Sequence, residues 1–408
     1  MDPSNRDLVE RALSEFDPGD PQFASRAVDR ILAAGQEWEA SDVHLQPTAA
    51  GLELKYRIDG VLLRAGTFPA SVAANVVARL KVLAELLTYR TDVPQEGRIR
   101  TPQRDVEMRV STFPTLYGER AVVRLFAGAQ RYRRLDDLGM PDDVVQPLGR
   151  LLSETSGAIL ATGPAGCGKT TTIYACMREI AGRGDAARSL VSLEDPIEVP
   201  AEGVAQAQVN PAVDLDLATG LRFLMRQDPE VIMVGEIRDR ATAEAAFQAS
   251  LTGHLLLSTF HAGSAAETVS RLSDMGIEPY LLRSGLLAIL SQRLVRRLCE
   301  CSRPGDDAAA RLGLPVDEFR VPVGCDACGR TGYRGRSVLV EMLTAERTEL
   351  GRAILSRSDA ATLERLAVEA GMVNRWQRAH QAIRAGLTSP AEVRRVLGFS
   401  ESSGIEAP

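Results

Sequence analysis

Residues 163–170 read Gly-Pro-Ala-Gly-Cys-Gly-Lys-Thr and stand between the apolar run AILAT and the helix-forming run TTIYACMREI. Few folds accept an octapeptide of this kind at a strand-to-helix turn. The glycines let the backbone wrap closely around an anion, and successive N–H groups with the helix dipole hold it. Lys169 then reaches the terminal phosphates of a nucleotide, and the Thr170 hydroxyl reaches magnesium. Gly163, Pro164, Ala165, Gly166, Cys167, Gly168, Lys169, Thr170 and Thr171 are the expected nucleotide-binding residues.

The surrounding grammar agrees. Short apolar runs at Ala158–Thr162, Leu190–Leu193, Val231–Val234 and Leu255–Ser258 alternate with helical stretches. Strands apolar on both sides, separated by helices, imply an α/β fold whose parallel sheet is covered on both faces. Two of these runs end in acids, Glu194-Asp195 and Gly235-Glu236. Acids at strand ends are ordinary turn residues, but beside a phosphate loop one can accept a proton from water and another can hold the metal. His254 and His261 bracket the run LLLST, and a neutral imidazole near a γ-phosphate can sense its loss.

A chain of 408 residues suggests two or three units at roughly 100 to 200 residues each. The expected division is a short flexible arm at 1–21, a small α+β domain at 22–128, a linker at 129–140 and a larger domain at 141–408 that ends in helices. The net charge of -6 does not point to a broad nucleic-acid surface. No apolar run is long enough to span a bilayer, and the start carries acids without an apolar signal region, so the expected location is the cytosol. In a reduced compartment, Cys299, Cys301, Cys325 and Cys328 favour a tetrahedral zinc site over disulfides. That gives a zinc subdomain at 296–332 within the larger domain.

The segments SGAILATGPAGCGKTTTIYACM, SLEDPIEV, LRFLMRQDPEVIMVGEIRD, ASLTGHLLLSTFHAG and LSQRLVRRLC, with GCDACGRTGYRGR and the upstream LKYRIDGVL and PQEGRI, resemble the secretion ATPases of type II secretion and type IV pilus assembly. The likeness runs from about residue 22 to 400. It implies a RecA-like P-loop domain, ATP hydrolysis with Mg2+, and a homo-hexamer working with inner-membrane platform and recruiting proteins. It further implies a cytoplasmic location peripheral to the inner membrane, with no direct nucleic-acid partner. Lys169 and Thr170 would be the Walker A residues, Glu194 the catalytic glutamate, Glu236 the Walker B acid, and His254 with His261 the His box. Arg98 and Arg109 match the arginines that the small domain brings to the nucleotide, with Arg120 and Arg124 as weaker matches.

Three departures stand out. The cysteines form CxC and CxxC where secretion and pilus-extension members usually show CxxC twice; the retraction branch typically lacks them, which argues against that branch. His261 is followed by Ala-Gly-Ser instead of the common Thr-Asn/Asp. Only some twenty residues precede the first helix, whereas members commonly carry an additional N-terminal docking domain, so the recruiting partner stays open. The leading expectation is a motor for pseudopilus assembly in type II secretion. Type IV pilus extension is the alternative, followed by a nucleic-acid translocase or a non-hydrolysing scaffold.

Overall fold

The structure, a computed structural model, describes residues 17, 19–101, 106–125, 134–183, 188–345 and 348–399. The arm expected at 1–21 and the linker expected at 129–140 therefore lie partly outside the described residues. Contacts divide the chain into two compact units, Met1–Gly128 with Arg296–Pro304 and Arg320–Arg336, and Ala129–Val295 with Gly305–Phe319 and Ser337–Pro408.

The first unit contains α1 (Phe23–Glu37), β1 (Asp42–Thr48), β2 (Gly51–Ile58), β3 (Val61–Phe68), α2 (Ala70–Leu83), β4 (Gln95–Thr101), β5 (Val106–Thr115) and β6 (Gly118–Leu125). The strands form one sheet in the order β3-β2-β1-β6-β5-β4. Alternation sorts its faces, because successive strand side chains point oppositely. Val43, Tyr56, Met108, Val110 and Val123 join Ile31 of α1 and Val76 of α2 in an apolar core. The registers line Arg98, Arg109, Arg124, Asp42 and Arg57 across five strands on the other face.

The second unit begins with α3 (Asp142–Leu151), β7 (Gly157–Thr162), α4 (Lys169–Ala181), β8 (Leu190–Glu194), β9 (Ala205–Gln208), α5 (Leu217–Leu224) and β10 (Val231–Val234). It continues through α6 (Arg240–Leu251), β11 (Leu255–Phe260), α7 (Ala265–Asp274), α8 (Pro279–Gly285) and β12 (Leu286–Leu298). After the two-residue strands β13 (Arg303–Pro304) and β14 (Arg320–Val321) come β15 (Tyr333–Thr344) and the helices α9 (Thr348–Leu355), α10 (Ala360–Glu369), α11 (Arg375–Arg384) and α12 (Pro390–Leu397). The sheet order is β15-β12-β7-β11-β10-β8-β9. Every residue of β7, β8, β10 and β11 is buried, because helices cover both faces. Ala158 and Leu160 pack with Phe247 of α6 and Val269 of α7. Ile159 and Ala161, pointing the other way, pack with Leu148 of α3 and Ile173 of α4.

Two elements go beyond the sequence reading. The apolar stretch 281–295 resolves into the end of α8 and the strand β12, which pairs parallel with β7. The cysteine region expected at 296–332 is divided by its contacts. Its knuckles count with the first unit, where Asp59 accepts from the Gly335 N–H at 2.8 Å and meets Arg336 at 3.7 Å. Its intervening loop, Gly305–Phe319, counts with the second, where Arg394 Nε donates to the Leu312 carbonyl at 2.9 Å.

Candidate functional site

The phosphate loop leaves β7 at Thr162 and turns at Gly163. Gly163 has φ +141°, and a Cβ there would lie 2.5 Å from the Gln292 carbonyl of β12, so only glycine fits. Gly168, at φ +94°, caps α4, and Lys169 is its first residue. The Lys169 ammonium is buried and donates to the carbonyls of Gly163 at 2.9 Å and Pro164 at 3.1 Å. Burial lowers its proton affinity below that of a free lysine. Cys167 is buried in the loop, and burial pushes its thiol up, away from reactive thiolate character.

Lys169 Nζ lies 3.4 Å from His261 Nδ1, and His261 Nε2 lies 2.8 Å from Glu236 Oε1. An ammonium has only protons to give, so Nδ1 accepts and Nε2–H donates, which fixes the neutral imidazole tautomer. Glu236 Oε2 accepts from Arg238 Nε at 2.7 Å. Parallel pairing produces this cluster, because β7, β11 and β10 all end at the same edge of the sheet. The same pairing sets His254 apart from this cluster. Leu255 is paired with Gly157, so His254 stands at the opposite end of β11, about 20 Å of strand from His261. There its Nδ1 meets the Ala249 carbonyl at 3.0 Å.

The loop after His261 is held through its backbone. Gly263 O accepts from Arg293 Nη2 at 2.6 Å and Arg375 Nη1 at 2.8 Å, while Gly263 N donates to Glu267 at 2.6 Å. Buried Glu341 accepts from the N–H groups of Ala265 and Arg375 at 2.7 and 3.0 Å. The Ala-Gly-Ser departure is thus accommodated by groups from β12, β15 and α11.

Glu194, at the end of β8, is 2% exposed. Its Oε1 accepts from Ser192 Oγ at 2.6 Å and Gln206 Nε2 at 3.0 Å, and its Oε2 accepts from the Tyr174 hydroxyl. Sequence reasoning selected Glu194 and missed these partners, which come from β8 itself, from α4 and from β9, an edge strand too short and polar to announce itself. Arg98 and Arg109 lie opposite each other on β4 and β5 of the first unit. Arg120 Nη2 is 3.2 Å from His44 Nδ1.

A family described as type II/IV secretion system protein matches residues 18–395. The chain belongs to the type II/IV secretion system protein family. It is 40% identical over 393 residues to the type II secretion system protein HxcR of Pseudomonas aeruginosa, covering 96% of this chain and 81% of that protein. It is 39% identical over 403 residues to the type II secretion system ATPase E of Vibrio cholerae, covering 97% and 78%. Among solved structures, the Legionella pneumophila ATPase DotB superposes with TM-score 0.66 at 22% identity over 90% of this chain and 94% of that one. The pilus retraction motor PilT with bound ADP gives 0.62 at 24% identity over 90% and 95%. These likenesses show the fold, the α/β architecture with a RecA-like P-loop domain.

The four cysteines of this family member converge. Sγ atoms of Cys299 and Cys325 lie 3.8 Å apart, Cys301 and Cys328 3.9 Å, and Cys325 and Cys328 3.7 Å. Tetrahedral zinc with Zn–S near 2.3 Å requires sulfurs about 3.8 Å apart, so the set fits a closed structural site. The CxC knuckle still brings its two sulfurs into the group, all four ligand atoms lying within 4.8 Å of one another. Gly332, at φ +76°, makes the second turn possible, since a Cβ would strike Pro322 at 2.4 Å.

Proposed function

We propose that this chain is a hexameric, magnesium-dependent ATPase that powers pseudopilus assembly in type II protein secretion. It would work at the cytoplasmic face of the inner membrane, bound there through platform and recruiting proteins. The observation that carries the reading is Glu194 ending the strand beside the Lys169, His261 and Glu236 cluster, in a chain about 40% identical to type II secretion E proteins over most of its length.

In this reading the loop amides and Lys169 would hold the β and γ phosphates, and Thr170 and Glu236 would hold magnesium. The metal supplies charge neutralisation on the phosphates when bound. Glu194 takes the proton of a water whose oxygen bonds to the γ-phosphorus. The bond from that phosphorus to the bridging oxygen breaks, and ADP leaves with the electron pair. Arg98 and Arg109 bring positive charge to the transferred group, which makes hydrolysis respond to closure of the small domain. Neutral His261 links the Walker lysine to Glu236 and reports on the γ-phosphate.

Phosphate release by the purified full chain, with and without magnesium, tests the chemistry. Lys169→Ala should abolish it, and undiminished turnover would end the hydrolase reading. Replacing the chromosomal copy with Lys169→Ala should stop secretion of type II substrates; pili lost with secretion intact would move the motor to pilus extension.

A further inference from the structure

We propose that Tyr174 and Gln206 are positioning residues that fix the Glu194 carboxylate in the frame of the phosphate loop. The proposal rests on the reading of Glu194 as the proton acceptor. Tyr174 lies on α4, the helix that Lys169 opens, five residues from that lysine. Its hydroxyl donates to Glu194 Oε2 across to β8. One rigid helix thus presents the phosphate-binding amides at its start and a donor to the base one turn and a half later.

The other oxygen is held from the sheet. Ser192 and Gln206 are direct register partners on β8 and β9, and both donate to Oε1. Gln206 Nε2 also donates to the Val199 carbonyl at 3.1 Å and lies 3.3 Å from the Tyr174 hydroxyl, while its Oε1 accepts from Ala201 N at 2.7 Å. A carboxylate oxygen has about two acceptor sites. Oε1 is filled by its two donors, whereas Oε2 has one from Tyr174 and keeps one. The remaining site is where a proton from water can go. Burial and the neighbouring carboxylate hold the Tyr174 hydroxyl well above its ordinary proton affinity, so it stays a donor throughout. Tyr174 is 5% exposed, and a purely space-filling ring would serve the α4 packing equally well without its hydroxyl.

The test compares Tyr174→Phe, Glu194→Gln and the double variant in the full chain, reading kcat, KM for ATP and affinity for a non-hydrolysable ATP analogue. Expected is a kcat about tenfold or more below wild type for Tyr174→Phe, the size of a lost hydrogen bond to a charge. KM and analogue affinity should stay within about twofold. In the Glu194→Gln background the same change should move the residual rate by less than about twofold, because a residue acting through Glu194 has nothing left to act on. A kcat for Tyr174→Phe near wild type, or an equal loss in both backgrounds, overturns the proposal. Glu194→Gln turning over like wild type would instead overturn the reading of Glu194 itself. Should Tyr174→Phe melt well below wild type, Gln206→Met is read on the same three quantities, with the same outcomes deciding.

Discussion

Arg98 and Arg109 stand directly opposite each other on antiparallel strands, and Arg109 in turn faces Arg124. Like charges opposed across a ladder repel. Glu96 pairs with Arg109, and Asp42 with Arg124, offsetting part of that repulsion. A row of guanidinium groups kept together at a cost in stability is what an anion-contacting face requires. Replacing Arg98 or Arg109 with Ala should therefore lower turnover by about 10³, the worth of an arginine on the transferred phosphoryl group. Binding of an ATP analogue should persist, and the melting temperature should hold or rise. Full turnover in both variants would remove these arginines from the reaction.

The two histidines should behave differently. His261 touches Lys169 and Glu236, while His254 meets the Ala249 carbonyl at the far end of its strand. His261→Ala should cut kcat by about tenfold or more, since it breaks a charge-assisted contact on each side. His254→Ala should leave kcat within about twofold and show its effect in thermal melting. Equal losses of kcat would mean that His254 reaches the reaction by a route other than contact.

Elemental analysis of protein purified without chelator should give one zinc per chain. Cys301→Ser should lower that ratio and expose the knuckle to proteolysis, because ligand binding supplies local folding energy. Full zinc content in Cys301→Ser would show that the CxC half is not needed to hold the ion.

Glu341 offers a test by pH. Burial holds its carboxyl above its ordinary value of 4.5, against the lowering effect of the Ala265 N–H and the Arg375 charge. The folded chain therefore binds this proton more tightly than the unfolded chain. Its contribution to stability is complete below pH 4.5 and is lost as pH rises through the folded value. Glu341→Gln cannot titrate, so urea unfolding measured from pH 4.5 to 7 should fall less steeply with pH in the variant than in wild type. Parallel curves would mean that another group governs this range.

The parallel sheet was legible because β7, β8, β10 and β11 are short apolar runs set between helices and turn signals. β12 was not, since an apolar strand buried on both faces lacks the alternation that separates it from a buried helix. Lys169 could be named from the spacing of the phosphate loop, and Glu194, Glu236 and His261 through the resemblance to the secretion ATPases, whereas Tyr174 and Gln206 could not. Their role depends on which side chains a register and a helix face bring to one carboxylate, and no local pattern in TTIYACM or AQAQ encodes that. His254 and His261 flank one strand and are therefore separated by its full length, which the register makes explicit.

Because Arg296–Pro304 and Arg320–Arg336 count with the N-terminal sheet while the residues between and around them count with the nucleotide-binding unit, the chain passes from one unit to the other at five places. Neither unit is a cassette. Recombination that exchanged everything before residue 129 would replace Asp59 and leave Gly335 and Arg336 facing a foreign partner, so the N-terminal segment and the cysteine strands should be inherited together, and chimeras between relatives should work only when both pieces come from the same parent.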